Sequence, residues 1–340
     1  MCLTIMIILG IESTCDETSA AVVQDGRSIL SLSIASSSDI HESFGGVFPE
    51  LACRRHVDVI LPIIDDCMKK AVVTPQDIDA IAVARGPGLI GALLIGLQAA
   101  KGLAISWNKP LIGINHVEAH LYAAMMTQQP LFPALGFVLS GGHTLMLKVS
   151  DVGGYELLGT TVDDAIGEAF DKAASMLGLA YPGGPKLEKL AESGDATKFS
   201  FSPSRVKKNP LAFSFSGLKT AVLYAKKTAA PSDDAHIAAS FQKTAFDDLS
   251  NKARLAWETD CFQSMIFGGG VSNNRRLRAH FSEQFPNIPL FWPPAELTSD
   301  NAAMIAGLAH HKYLLGQRDD LDLEALPRMP FWVELKVPKR

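Results

Sequence analysis

The 340-residue chain contains no Cys-x-x-Cys pair, no Gly-Lys-Ser/Thr phosphate loop and no His-Glu-x-x-His. Its five cysteines, Cys2, Cys15, Cys53, Cys67 and Cys261, are odd in number and far apart. That argues against a disulfide framework or a zinc–thiolate site and points to a reducing cytoplasm. Positive charge is also short: 31 Lys and Arg stand against 36 Asp and Glu, a net charge of −5. A globally basic surface is excluded, so any nucleic-acid contact must use a local patch or a partner's charge. The opening "MCLTIMIILGIE" stays apolar for about eleven residues before Glu12. That is too short to span a bilayer, and it lacks the basic start and small-residue cleavage site of a signal peptide. "IMIILGIE" reads instead as a buried first strand, with Met6 a candidate start.

The rest of the composition, 47% hydrophobic and 20% charged, is that of a soluble globular protein long enough for two domains. The pattern repeats a plan. "IMIILGIES", "SAAVVQ" and "SILSLSIAS" read as three strands, followed by helical spacing in "PELACRRHVDVILPIIDDCMKKA". A strand, "DAIAVAR", a turn, "GPGLIGA", and a helix to about Trp107 come next. The strand "LIGIN" and a histidine-bearing helix complete this half. The second half opens with "ALGFVLS", "TLMLKVS" and "YELLGTTV". Helices are expected at 163–177, 185–193, 216–228 and 233–258. The strand "QSMIFGG" then leads into a helix from about Ser272, the strand "IPLFW" and a last helix near Asp300. We therefore expect two α/β domains of related topology, 1–130 and 131–340, the second carrying the nucleotide-binding loops and Asp300. A cleft between such domains is a usual ligand site.

Three glycine-rich turns, 10–21, 138–146 and 267–278, have the composition to bring backbone N–H groups onto an anion. The third runs from a strand into a helix, whose N-terminus favours negative charge. None matches the dinucleotide fingerprint, and each alone fits an ordinary tight turn. Together, two of them at equivalent places in the halves, they match the layout of the actin, sugar-kinase and heat-shock ATPase clan. That analogy concerns the fold and not the reaction.

A more specific likeness lies in nine motifs in chain order. They are "GIESTCDETSAAVV", "GGVFPELACRRH", "ARGPGLIGALLIG", "NHVEAHL", "LSGGHTLM", "DDAIGEAFDKAASMLGLAYPGGP", "FSFSGLKTA", "GGGVSNNRRLR" and "SDNAAMIA". With "RMPFWVEL" they cover roughly residues 7 to 335. The chain resembles the bacterial tRNA N6-adenosine threonylcarbamoyltransferase (TsaD) family, formerly labelled O-sialoglycoprotein endopeptidase. It departs from the family pattern at Ser13-Thr14, where Thr-Ser is usual, at Met329, where Trp is common, and at Glu188, often Asp.

His116 and His120 lie four apart, so a helix puts them on one face, with Asn115 as a good N-cap. The pair alone also fits surface or core histidines. Glu118 follows two residues after His116, roughly 200° around the helix. It points away, unlike a zincin's general base, so the spacing weakens a peptidase reading. The resemblance supplies the third ligand: it implies one divalent metal on His116, His120 and Asp300, with iron(II) favoured and zinc the alternative. Asp300 could otherwise cap the last helix, a role that Ser299 can also fill.

The resemblance also implies substrate contacts at Val138, Leu139, Ser140, Gly141, Gly142, Asp171, Gly184, Glu188 and Asn274. Asp171 is expected on ribose hydroxyls. Asp16 and Glu17 are expected to act through metal, water or a proton relay. Lys219 is a candidate phosphate contact. Lys207, Lys208, Arg275, Arg276 and Arg278 form a candidate tRNA patch, although such runs also suit a solvated face.

The implied reaction moves a threonylcarbamoyl group from threonylcarbamoyl-AMP to N6 of the adenosine 3′ of the anticodon, in tRNAs reading codons that begin with adenine. The implied partners are tRNA, a shorter paralogue lacking the metal histidines and a small P-loop ATPase. No membrane is implied. The competing reading is an ATP-dependent sugar or acyl kinase of the same clan. A kinase needs Mg-ATP and a catalytic aspartate, not His-x-x-x-His. A noncatalytic scaffold is disfavoured by the intact ligand set.

Overall fold

The computed structural model describes residues 5–36, 49–204, 206–207 and 209–334. Lys208, positions 45–48 of "GGVFPELACRRH" and the last residue of "RMPFWVEL" lie outside them. The chain divides into two compact units: Met1–Gln129 with Pro293–Phe331, and Pro130–Trp292 with Trp332–Arg340. The first crossover falls where the halves were expected to part. The second corrects the expected division: residues 293–331 return to the first unit, so Asp300 belongs there and not with the second.

The first unit is built on strands β1 (Ile7–Glu12), β2 (Glu17–Gln24), β3 (Ser28–Ser36), β4 (Ala80–Gly86) and β5 (Leu111–Asn115). Their order is β3-β2-β1-β4-β5. β1 runs antiparallel to β2 and parallel to β4, which is parallel to β5. The continuous apolar run of β1 is what a strand covered on both faces requires: from Ile8 onward every residue of it is buried. Helix α1 (Pro49–Ala71) packs on β2 and β3, and α2 (Ile90–Trp107) on α1 and β4. By length and apolar composition α2 could cross a membrane. Here Ala92, Leu93, Gly96, Leu97, Ala100 and Ala104 are buried. Helix α3 (His116–Thr127) follows β5 directly.

The second unit repeats the plan. Strands β6 (Ala134–Leu139), β7 (Thr144–Asp151), β8 (Gly154–Thr160), β9 (Ser264–Gly268), β10 (Leu290–Phe291) and β11 (Val333–Glu334) lie in the order β10-β9-β6-β7-β8-β11. β6 is antiparallel to β7 and parallel to β9, as β1 is to β2 and β4. Among the described residues, β11, parallel to β8, is the one strand without a counterpart in the first sheet. The helices are α4 (Ile166–Met176), α5 (Gly183–Ala191), α6 (Ser216–Thr228), α7 (Asp234–Trp257) and α8 (Arg275–Gln284). Aromatic rings fill this core: Phe137 stacks on Phe267 with centroids 5.2 Å apart, and Phe267 on Trp292 at 3.7 Å.

Helix starts differ from expectation for reasons of capping. The helix expected from 163 begins at Ile166, because Asp163 instead accepts from the Phe215 N–H and from the Ser214 and Ser216 hydroxyls at the start of α6. The helix expected from Ser272 opens as a 3-10 turn, Gly270–Asn273, and becomes α-helical at Arg275 behind the Asn274 cap. The last helix, α9 (Ala302–Leu314), is capped by neither Asp300 nor Ser299. The Asn301 side chain accepts from the Met304 N–H.

Helix α9 lies on β1 at a point where Gly10 has no side chain. A Cβ there would stand 2.4 Å from the Ala302 carbonyl oxygen and 2.9 Å from Ala306 Cβ. Gly10→Ala is therefore expected to destabilise the protein by about 1–3 kcal/mol, the usual range for overpacking. Gly102→Ala is the control: Gly102 lies inside α2 with nothing within 4 Å of its Cβ position. It should be neutral or stabilising by up to about 1 kcal/mol. Denaturant unfolding of the two variants decides; equal midpoints would remove the close-approach argument.

Candidate functional site

In the first unit the chemistry gathers at the end of β1, the start of α3 and the approach to α9. Asn115 ends β5 and caps α3: its Oδ1 accepts from the N–H groups of Val117 (2.9 Å) and Glu118 (3.0 Å), and its Nδ2 donates to the Met329 carbonyl. The cap fixes the first turn, and the helical period then puts His116 and His120 side by side, ring centroids 4.6 Å apart. Asp300 Oδ1 lies 3.0 Å from His120 Nε2 and 3.5 Å from His116 Nε2. Glu118 turns the other way and is ion-paired with Lys312 at 2.9 Å.

His116 is oriented by a residue to which sequence reasoning gave no role. Glu12, the last residue of β1, is fully buried, with Oε2 2.9 Å from His116 Nδ1 and Oε1 accepting from the Thr14 N–H at 2.6 Å. A carboxylate closing an apolar strand was the available signal, because a buried charge needs a partner. Asp16 and Glu17 complete the cluster: with Asp300 they offer carboxylate oxygens within 4.8 Å of one another.

The charge balance is lopsided. Burial opposes a charged His116, yet Glu12 and Asp300 outweigh it and raise its pKa to about 9. Burial, then the charges of Asp300 and Asp16, push Glu17 up to about 10. Burial and the same neighbours hold the Cys15 thiol well above its usual range, which makes it a poor nucleophile. A divalent cation suits this centre. His116 Nε2, His120 Nε2 and an Asp300 oxygen converge within 4.8 Å. Glu12 holds the far nitrogen of His116, the orientation typical of ligating histidines. Two imidazoles and one carboxylate suit iron(II) or zinc.

The second unit holds the other residues singled out in the sequence. Val138 and Leu139 belong to β6, and their side chains are core. The turn Ser140–Gly142 follows β6. Ser140 Oγ accepts from the His143 N–H, and its carbonyl accepts from Gly167 N–H at the start of α4. A Cβ on Gly141, Gly142, Gly184 or Gly270 would meet nothing within 4 Å, so these backbones are open to an approaching group. Asp171 Oδ1 accepts from Gly183 N–H (2.8 Å) and Gly184 N–H (3.0 Å), which caps α5. Glu188 Oε1 accepts from Arg275 N–H at 2.7 Å. Asn274 is buried: its Oδ1 accepts from Leu277 N–H, and its Nδ2 donates to Gln242 Oε1. All three expected contact residues thus hold helix starts, a job that sequence reasoning did not assign them.

Two further expectations change. Lys219 is not a free phosphate donor but pairs with Asp164 at 2.8 Å. In the basic run, Arg276 pairs with Glu283 at 2.7 Å, and Arg278 donates to the Ser272 carbonyl with its guanidinium over the Trp292 ring.

Comparison with solved structures places the fold. The chain superposes on full-length HypF in the phosphate- and nucleotide-bound form with a TM-score of 0.63 at 14% identity, covering 92% of this chain and 47% of HypF. Component A of the (R)-2-hydroxyglutaryl-CoA dehydratase of Acidaminococcus fermentans gives 0.54 at 15% identity, covering 91% and 99%. These likenesses establish a fold of two α/β units and nothing about the reaction. Sequence is more specific. The TsaD family model, tRNA N6-adenosine threonylcarbamoyltransferase, matches residues 28–307. The chain is 55% identical over 337 residues to the protein of that name from Protochlamydia amoebophila (strain UWE25), covering 96% of this chain and 98% of the relative. It is 47% identical over 327 residues to that of Anaeromyxobacter dehalogenans (strain 2CP-C), covering 94% and 98%. With matches of this length and identity, the chain belongs to the tRNA N6-adenosine threonylcarbamoyltransferase family.

Proposed function

We propose that this chain transfers the threonylcarbamoyl group of threonylcarbamoyl-AMP to N6 of the adenosine 3′ of the anticodon, in tRNAs that read codons beginning with adenine. The observation that carries this reading is the meeting of His116, His120 and Asp300 in one unit of a chain of this family. A kinase of the same clan has no use for that set.

The donor is a mixed anhydride, so its carbonyl is activated and AMP leaves readily. N6 attacks the carbonyl carbon, the bond from that carbon to the phosphate oxygen breaks, and N6 sheds a proton. An exocyclic amine is a weak nucleophile, so positioning and charge stabilisation must do most of the work. In the second unit, the open turns at Gly141, Gly142, Gly184 and Gly270 offer backbone N–H groups to a nucleotide phosphate or sugar. Asp171, its Oδ1 fixed by the α5 cap, is oriented to accept from a ribose hydroxyl. Glu188 and Asn274 act by holding the start of α8 beside these turns. In the first unit, Asp16 is the group to take the N6 proton, and Glu17, its pKa pushed up to about 10 by burial and then by Asp300 and Asp16, enters the relay as a proton-bearing carboxyl. His116, His120 and Asp300 would hold a divalent metal, iron(II) before zinc, which when bound supplies Lewis-acid polarisation of a carbonyl or phosphate oxygen. Cys15 takes no part.

The substrate tRNA brings its target base in a loop, already unstacked. Lys207 and Arg275 are the stronger members of the proposed tRNA patch, since Arg276 and Arg278 have partners of their own. A shorter paralogue and a small P-loop ATPase complete the reading, and the cytoplasm is where they and tRNA meet. The exposed apolar residues Val57 and Leu61 on α1, with Ile90 and Leu94 on α2, support a protein partner. The direct test is incubation with threonylcarbamoyl-adenylate, unmodified tRNA and these partners, followed by nucleoside mass spectrometry. Absence of the modified nucleoside would overturn the reading.

His116→Ala and His120→Ala are each expected to lose bound metal in elemental analysis and to abolish transfer, with the far-UV circular dichroism of the parent retained. Normal metal content in the double variant would sink the assignment. Asp171→Ala should weaken a non-hydrolysable adenylate analogue about ten- to a hundredfold, the effect of a lost hydrogen bond worth on the order of 1–3 kcal/mol. Asp171→Asn keeps an oxygen for the α5 cap and separates the two roles. Calorimetry should find it closer to Asp171→Ala in binding and closer to the parent in thermal stability.

A further inference from the structure

His56 is carried by α1, and its side chain is completely buried. Its two ring nitrogens reach the two ends of one short segment. Nε2 lies 2.9 Å from the Cys15 carbonyl oxygen, and Nδ1 lies 2.7 Å from Thr18 Oγ1. A carbonyl can only accept, so Nε2 carries the hydrogen, and in the neutral ring Nδ1 accepts from the Thr18 hydroxyl. Thr18 is itself fully buried. Between the two anchor points stand Asp16 and Glu17, the acid pair that lies with Asp300.

Asp16, Glu17 and Asp300 bring carboxyl oxygens within 4.8 Å of one another, and holding a turn in that arrangement costs conformational freedom. A turn carrying two of them needs an anchor to keep them facing the third. Upstream, Thr14 is held separately: its N–H donates to Glu12 and its carbonyl accepts from Leu89 N–H at 2.9 Å. At Cys15 the anchor is His56, fixed to a helix rather than to the turn.

We propose that His56 is a positioning residue: its imidazole bridges Cys15 and Thr18 and sets the direction in which Asp16 and Glu17 present their carboxylates to Asp300. The inference rests on the reading of that acid pair as part of the transfer site. It makes α1 the element that times the acid pair's placement, since any shift of α1 moves both anchor points together.

The test uses the full chain with His56→Ala, His56→Asn and His56→Gln. Gln places an N–H donor near the Nε2 position, whereas Asn reaches only toward Thr18. Amide hydrogen exchange read by mass spectrometry should show the Cys15–Thr18 segment of His56→Ala exchanging at least about tenfold faster than the parent, with peptides from β6 and β9 unchanged. Gln should restore protection and Asn should not. With tRNA, adenylate and partners present, His56→Ala should lose about tenfold or more in kcat, with KM for the adenylate within about twofold and metal content unchanged, and Gln should recover most of it. Parent-like exchange at 15–18, faster exchange throughout the protein, loss of metal, or a Gln variant as poor as Ala would each overturn the proposal. A parent chain that transfers nothing overturns the functional reading instead, and the exchange arm still decides whether His56 holds the segment.

Discussion

The close approach of α9 to β1 is the constraint on which the first unit turns. It requires a strand with no side chain at position 10, facing the Ala302 carbonyl and a small side chain, Ala306, on the helix. That contact sets how deeply α9 seats. Asp300, two residues before the helix begins, therefore arrives beside two histidines placed by a different helix. Nothing local joins these side chains: His120 and Asp300 are 180 residues apart. Their geometry is inherited from a packing contact and a cap, Asn115 on one side and Asn301 on the other.

The two units spend their carboxylates differently. In the first, Glu12 and Asp300 meet the imidazoles of His116 and His120, and Asp16 and Glu17 lie with Asp300. In the second, Asp163, Asp171 and Glu188 are each satisfied by helix-starting N–H groups. Such caps contribute on the order of 1 kcal/mol apiece and orient the glycine turns beside them. One unit gathers its carboxylates around a pair of imidazoles. The other spends them on helix starts.

Much of this was readable in the sequence. Continuous apolar runs and the repeat of strand, turn, strand, strand gave both sheets, because strands covered on both faces read as unbroken apolar segments. The i, i+4 spacing gave the histidine pair, and a polar residue before the helix gave its cap. What was not readable depended on non-local contact. Residues 293–331 return to the first unit through the Gly10 contact, which no window of sequence displays. The capping duties of Asp171 and Glu188 were hidden because their partners lie on other elements, 12 and 87 residues distant, whereas Asn274 caps its own helix through Leu277 N–H. Lys219 looked available because its counter-ion, Asp164, lies 55 residues upstream.

The order in which the chain visits its units has a consequence for biosynthesis. A ribosome adding roughly 5–20 residues each second needs about ten to forty seconds to pass from His120 to Asp300. Throughout that interval the nascent first unit already holds both imidazoles, but not the carboxylate that would join them or the helix that covers β1. The emerging protein thus lacks the meeting of His116, His120 and Asp300 that the finished one has. That constellation is a property of the completed chain alone.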